Sequence, residues 1–149
     1  MRAALLLASF LLLPNCGASP NRLFGSVSEL YGLDFDNVRA IRVGDAVSIE
    51  YLRTSGAMTK VTVSIGDIQP VAGTDIDMTT PVASGLPRGT VQRVEYGGTT
   101  DFQLKVGRIH FNQEPVADAD LVGSFRTTLA DPAEGRTLNG NFQAKVEAL

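Results

Sequence analysis

Apolar and polar residues alternate along this chain with a period of two, from about residue 38 onward. No 11-residue window carries an i, i+3, i+4, i+7 apolar stripe. Gly and Thr are frequent and β-branched residues recur. Pro20, Pro70, Pro81, Pro87, Pro115 and Pro132 fall at the edges of alternating segments. The pattern predicts an all-β domain.

Facing residues of an antiparallel pair share a side of the sheet, so pairings can be tested by whether their apolar sets agree. IRVGDAVSI predicts a hairpin around Gly44-Asp45-Ala46, with Val43 opposite Val47 and Ile41 opposite Ile49. A second hairpin around Ser55-Gly56-Ala57 sets Tyr51 opposite Val61, Ile49 opposite Val63 and Val47 opposite Ile65. Arg39, Arg42, Glu50, Lys60, Thr62 and Ser64 are mostly left on the other face, as in a meander buried on one side. The segment 121–146 predicts a longer hairpin pairing Leu121 with Val146, Phe125 with Phe142 and Leu129 with Leu138. Its turn is Pro132-Ala133-Glu134-Gly135, with Pro early and Gly late. Its arms repeat one small motif, Gly123-Ser124-Phe125 and Gly140-Asn141-Phe142.

Between these hairpins Val94 and Tyr96 are expected to face Leu104 and Phe102. The alternation then changes phase at Gly107, where a β-bulge would re-phase the strand. With an opening strand near Leu23–Leu30 the count is about eight. This predicts a single antiparallel β-sandwich, or alternatively a small closed β-barrel. Residues 66–89 carry Pro70, Pro81 and Pro87 and are expected to form an irregular crossover or surface loop.

One segment departs from alternation. Ala3–Leu13 is apolar except for Ser9, with Arg2 before it and Pro14-Asn15 after. It is too short for the roughly 20 apolar residues of a spanning helix. It matches the apolar region of a secretory signal. We therefore expect a signal helix over residues 1–15, a polar tether over 16–22 and one β domain over 23–149.

Cys16, the single cysteine, follows directly. Alone it can form no internal disulfide, Cys-based zinc site or redox pair. The layout of an apolar run ending in one Cys, a polar lead and a β body resembles that of many small bacterial envelope lipoproteins of uncharacterised function. In these the signal is cut just before a Cys whose sulfur carries lipid. Leu13 at −3 and Gly17 at +2 resemble their processing site, and Asn15 at −1 departs from the usual Ala, Gly or Ser. The resemblance implies an export address and a lipid anchor at Cys16, and carries no other functional residue across. The alternative is cleavage after Ala18, with Cys16 and Ala18 as the small residues of the site and a soluble periplasmic or extracellular product.

Candidate chemistry is sparse. The net charge of −3 becomes more negative by one once Arg2 leaves with the signal, and Lys and Arg are dispersed. No basic run of the kind that neutralises phosphates is present, which argues against nucleic acid as a partner. His110, the single histidine, alternates with Ile109 and Phe111 and so is expected to face solvent. Three D-x-D pairs, Asp34/Asp36, Asp75/Asp77 and Asp118/Asp120, could each aim oxygens at one Ca²⁺, with Asp75 and Asp77 the leading metal candidates. None has the Gly and bidentate Glu of an EF-hand loop, so solvated turn acids are expected and no metal site is implied. Paired acids can also hydrolyse glycosides, but Trp is absent, and Tyr31, Tyr51 and Tyr96 suit core or rim positions better than a sugar platform. Nucleophile-elbow, zinc-helix, phosphate-loop and dinucleotide motifs are all missing. No cofactor is implied.

The expectation is a non-enzymatic, envelope-anchored or secreted binding or structural module. Its partners would be the membrane through Cys16 and a protein at a strand edge. Two alternatives stand beside it: a barrel carrying an apolar ligand, and an enzyme or Ca²⁺ module using Asp75, Asp77 or His110.

Overall fold

The structure, a computed structural model, describes residues 20–149; the signal over 1–15, Cys16 and the cleavage site at Ala18 lie outside the described residues. Among the described residues ten strands form: β1 Arg22–Phe24, β2 Asn37–Val43, β3 Ala46–Leu52, β4 Met58–Ser64, β5 Asp75–Asp77, β6 Gly89–Glu95, β7 Gly98–Phe102, β8 Leu104–Phe111, β9 Asp120–Leu129 and β10 Thr137–Ala148. The all-β expectation holds. Two short strands exceed the expected eight or so: β5, inside the stretch read as irregular, and β7, separated from β8 at Gln103. In place of a strand, Ser26–Glu29 form a 3₁₀ turn.

The expected sandwich or closed barrel is corrected. The strands form one curled open sheet, a half-barrel, in the order β5-β8-β9-β10-β2-β3-β4-β6-β7, with β1 added along β10. β10 makes the curl. Its residues Thr137–Lys145 pair with β9, and its last residues, Val146–Ala148, run parallel to Ala40–Arg42 of β2. The sheet is therefore mixed, not purely antiparallel. β7 and β8 are consecutive but not paired, because at Gln103 the chain crosses from the β7 edge of the sheet to β8, next to the β5 edge. There Gln103 exchanges backbone hydrogen bonds with Ala130 and Asp131. Met78 spans the gap elsewhere: its N–H donates to the Gly107 carbonyl and its carbonyl accepts from the Gly89 N–H.

Four expected registers change. β2 and β3 turn through Gly44-Asp45, with Gly44 at φ +56°, so Val43 faces Ala46 and Ala40 faces Ile49. That slip of one residue puts Val38 and Ala40 on the inner face and moves Ile41 and Val43 outside. β3 and β4 pair Ile49 with Val61 and Val47 with Val63, two residues from the expected register, and β9 and β10 slip by two as well. Even slips keep the face. β6 and β7 turn tightly at Tyr96-Gly97, so Phe102 faces Val91, and Tyr96 is a fully exposed tip instead of a strand residue. The re-phasing bulge lies between Leu104 and Val106, just before Gly107.

The inner face is densely filled. Ile49, Tyr51, Val61, Val91, Ile109, Phe111, Leu121, Phe125, Leu138 and Phe142 are all buried in one cluster. Segment 25–36 covers one end of it. Val27 inserts fully, Tyr31 packs edge-on against Phe102, and Phe35 packs edge-on against Tyr51 at 5.0 Å between ring centres. Ser26 and Thr137 pin this cover by reciprocal bonds: each backbone N–H donates to the other's side-chain oxygen, at 3.1 and 2.9 Å.

Candidate functional site

The period-two rule places side chains two apart on the same face. On β5 this puts Asp75 and Asp77 outside, around a buried Ile76. On β8 it puts Arg108 and His110 outside, around a buried Ile109. On β9 it puts Ser124 and Arg126 outside, around a buried Phe125. Register then aligns them in two rows. Asp75 faces His110, which faces Ser124; Asp77 faces Arg108, which faces Arg126. Asp75, Arg108, His110, Ser124 and Arg126 line a shallow depression of ≈ 330 Å³ on the outer surface of the sheet.

Asp75 Oδ1 lies 2.7 Å from His110 Nδ1. A carboxylate only accepts, so in this contact Nδ1–H of His110 is the donor, and Nε2 is turned away from Asp75. Asp77 accepts from the backbone N–H and hydroxyl of Thr79, at 2.8 and 2.7 Å, and these bonds hold its carboxyl below the usual range, with Arg108 adding to the effect. Both carboxylates named as candidate metal ligands thus have protein partners. Among the described residues no group of three His, Cys, Asp or Glu converges.

The other D-x-D pairs lie elsewhere. Asp36 accepts from the N–H and hydroxyl of Thr54, at 2.6 and 2.7 Å, which lowers its pKa. Asp118 lies 3.6 Å from Lys145. The rim tyrosines separate as well: Tyr51 is core, Tyr31 packs beneath the covering segment and Tyr96 is a hairpin tip.

The structure therefore joins Asp75 to His110, residues 35 apart, as the sequence could not specify. Sequence reading also overlooked Arg108, Ser124 and Arg126. Their parity on two adjacent strands marks them as outward-facing; only the register shows that they adjoin.

The outer face of the other half is organised differently. Arg39, Glu50, Lys60, Gln92 and Asp101 form one row across five strands. Arg39 bonds Glu50 at 2.7 Å, Lys60 lies 3.4 Å from the same carboxylate, and Gln92 donates to Asp101 at 2.6 Å. Each charge in that row meets an opposite charge or an amide.

In comparisons with known proteins, no family model, no curated sequence and no solved structure matches the chain.

Proposed function

We propose that this chain is an exported, non-enzymatic binding module, anchored through lipid at Cys16, that presents the outer surface of β5, β8 and β9 to its ligand. The observation that carries the reading is the place of the polar groups. Asp75, His110, Ser124, Arg108 and Arg126 gather in a depression outside the sheet, while the inner face is occupied by its own side chains. The apolar crevice between Val27, Tyr31, Leu33 and Phe102 has room for only ≈ 10 Å³, at or below the space one water needs. That weighs against the carrier reading. The export address rests on Ala3–Leu13 and Cys16.

Intact mass tests address and carrier together. Under denaturing conditions the expected species begins at Cys16 and carries a diacylglyceryl-type increment; an unmodified chain beginning at Ser19 removes the anchor. Under native conditions no further apolar ligand is expected, and a retained one would make the protein a carrier.

One observation favours a second reading. Asp75, His110 and Ser124 stand in one row, the order of acid, base and nucleophile in a hydrolytic triad. Among the described residues no hydrogen bond joins His110 to Ser124, and Ser124 lies in ladders with both β8 and β10, which engage its backbone. Hydrolysis of an activated ester distinguishes the readings. The module predicts equal rates for the native chain and Ser124→Ala; a Ser124-dependent rate supports the enzyme.

A further inference from the structure

Arg108 and Arg126 face each other directly across β8 and β9. Like charges in that position destabilise a sheet, and this molecule avoids the arrangement elsewhere: the row through Arg39, Glu50 and Lys60 alternates in sign. Asp77 lies on the far side of Arg108 and acts on it electrostatically. It is two strands from Arg126. Among the described residues the Arg126 side chain has neither an ion pair nor a hydrogen bond, and the Ser124 hydroxyl beside it on β9 has no hydrogen bond. Asp75, the acid that lines the depression, is already bonded to His110. On the fourth strand Arg126 faces Asn139, an amide that supplies no compensating charge.

The depression thus holds two adjacent guanidinium forks, one with no acid of its own, and a free hydroxyl. Guanidinium forks match the paired oxygens of carboxylate and phosphate, and two forks on neighbouring strands can grip one such group from both sides. We propose that Arg108, Arg126 and Ser124 form a binding site for an oxyanion, the carboxylate or phosphate group of the ligand. Arg126 is its principal contact, Arg108 the second, and Ser124 donates from the adjacent row. An oxyanion seated there turns the repulsion of the arginine pair into two attractive contacts. The free protein tolerates that repulsion because both side chains are exposed. The depression's ≈ 330 Å³ lies at the lower end of small-molecule sites, about 300–1,000 Å³, and leaves space beside the anionic group for more of a small ligand.

The proposal rests on the reading of this outer surface as the binding face and names its ligand chemistry. The test is a titration of the full chain with inorganic phosphate and, separately, acetate, against chloride at matched ionic strength, followed by NMR shifts of the amides and the arginine Nε–H groups. Saturating shifts confined to residues near 75, 108–110 and 124–126 are expected with at least one of the two anions, and the tighter anion identifies the group. Arg126→Gln is expected to weaken that binding at least about tenfold, the loss of one charged hydrogen-bond contact. Arg126→Lys, which keeps the charge and loses the fork, is expected to fall between. Arg39→Gln, in the opposite half, is expected to leave binding unchanged. Shifts no different from chloride, or equal binding by native chain and Arg126→Gln, would overturn the oxyanion site. Such a failure would leave the binding face open to a neutral ligand, whereas an apolar ligand retained in the native mass measurement would remove the binding face itself.

Discussion

Gly140 and Phe125 face each other across β9 and β10, and the Phe125 ring occupies the space a side chain on Gly140 would need. Gly123 and Phe142 repeat the relationship with the arms exchanged. Each arm's glycine thus makes room for the other arm's ring, which accounts for the repeated G-x-F motif and for the register that keeps the two rings from facing each other. A β-carbon on Gly140 would also lie 2.6 Å from the Tyr51 hydroxyl oxygen. Gly140→Ala is therefore expected to destabilise by about 1–3 kcal/mol through overpacking. Gly97→Ala, at a turn where nothing lies within 4 Å, is expected to stay within about 0.5 kcal/mol. Urea unfolding of both variants checks the pair.

Tyr51 joins the two halves. Its ring packs against Phe35 and Phe125, and its hydroxyl donates to the Asn141 carbonyl at 2.8 Å. Burial pushes the phenol well above its usual pKa. A folded pKa above the unfolded value near 10 means full stability below about pH 10 and progressive loss above it. Tyr51→Phe is expected to lose about 1 kcal/mol at neutral pH, the net worth of one hydrogen bond. It is also expected to show a shallower fall in stability above about pH 10. Denaturation midpoints measured from pH 7 to 11 report both effects.

Arg88 and Asp67 set the acid side. The Arg88 guanidinium grips both Asp67 oxygens and also donates to the Ser64 carbonyl, and this pairing holds the Asp67 carboxyl at about 2. An unfolded Asp titrates near 4. The contribution is therefore complete above about pH 4 and lost as the pH falls through about 2. Asp67→Asn is expected to be less stable than the native chain at pH 7 and to converge with it near pH 2. Thermal melts across that range test the convergence.

The two outer faces should respond oppositely to the loss of an arginine. Glu50 is buried, and Arg39→Gln leaves it with Lys60 alone. A loss of about 1 kcal/mol is expected, below the roughly 3–5 kcal/mol of a fully buried pair, because the Arg39 side chain is 41% exposed. Arg126→Gln removes a repulsion and is expected to leave stability unchanged or raise it by up to about 1 kcal/mol. The gain should shrink in high salt as the charges are screened. Melting temperatures at low and high salt separate the two variants.

Which residues face inward was largely legible in the sequence, because a slip of two residues leaves the face unchanged. That is why alternation alone places Phe125, Phe142, Ile49 and Val61 in the core, although their partners differ from those it predicts. Where apolar residues occupy both parities, as in Val38, Ala40, Ile41 and Val43, the pattern cannot choose, and the short Gly44-Asp45 turn decided the register instead. The slip of two in β9–β10 has a remote cause: Ala130 and Asp131 bond to Gln103 and so do not extend the hairpin. The site was illegible for a related reason. Asp75 lies 35 residues from His110, and no local signal fixes the pairing of β5 with β8.

β10 is the spine of both halves: one stretch of it pairs with β9 and β1, and its end pairs with β2. Neither half owns a complete set of strands without it. The two halves are therefore joined through one strand. A chain being synthesised from its N-terminus must hold β2, β3 and β4 with the β2 edge unsatisfied until β10 emerges.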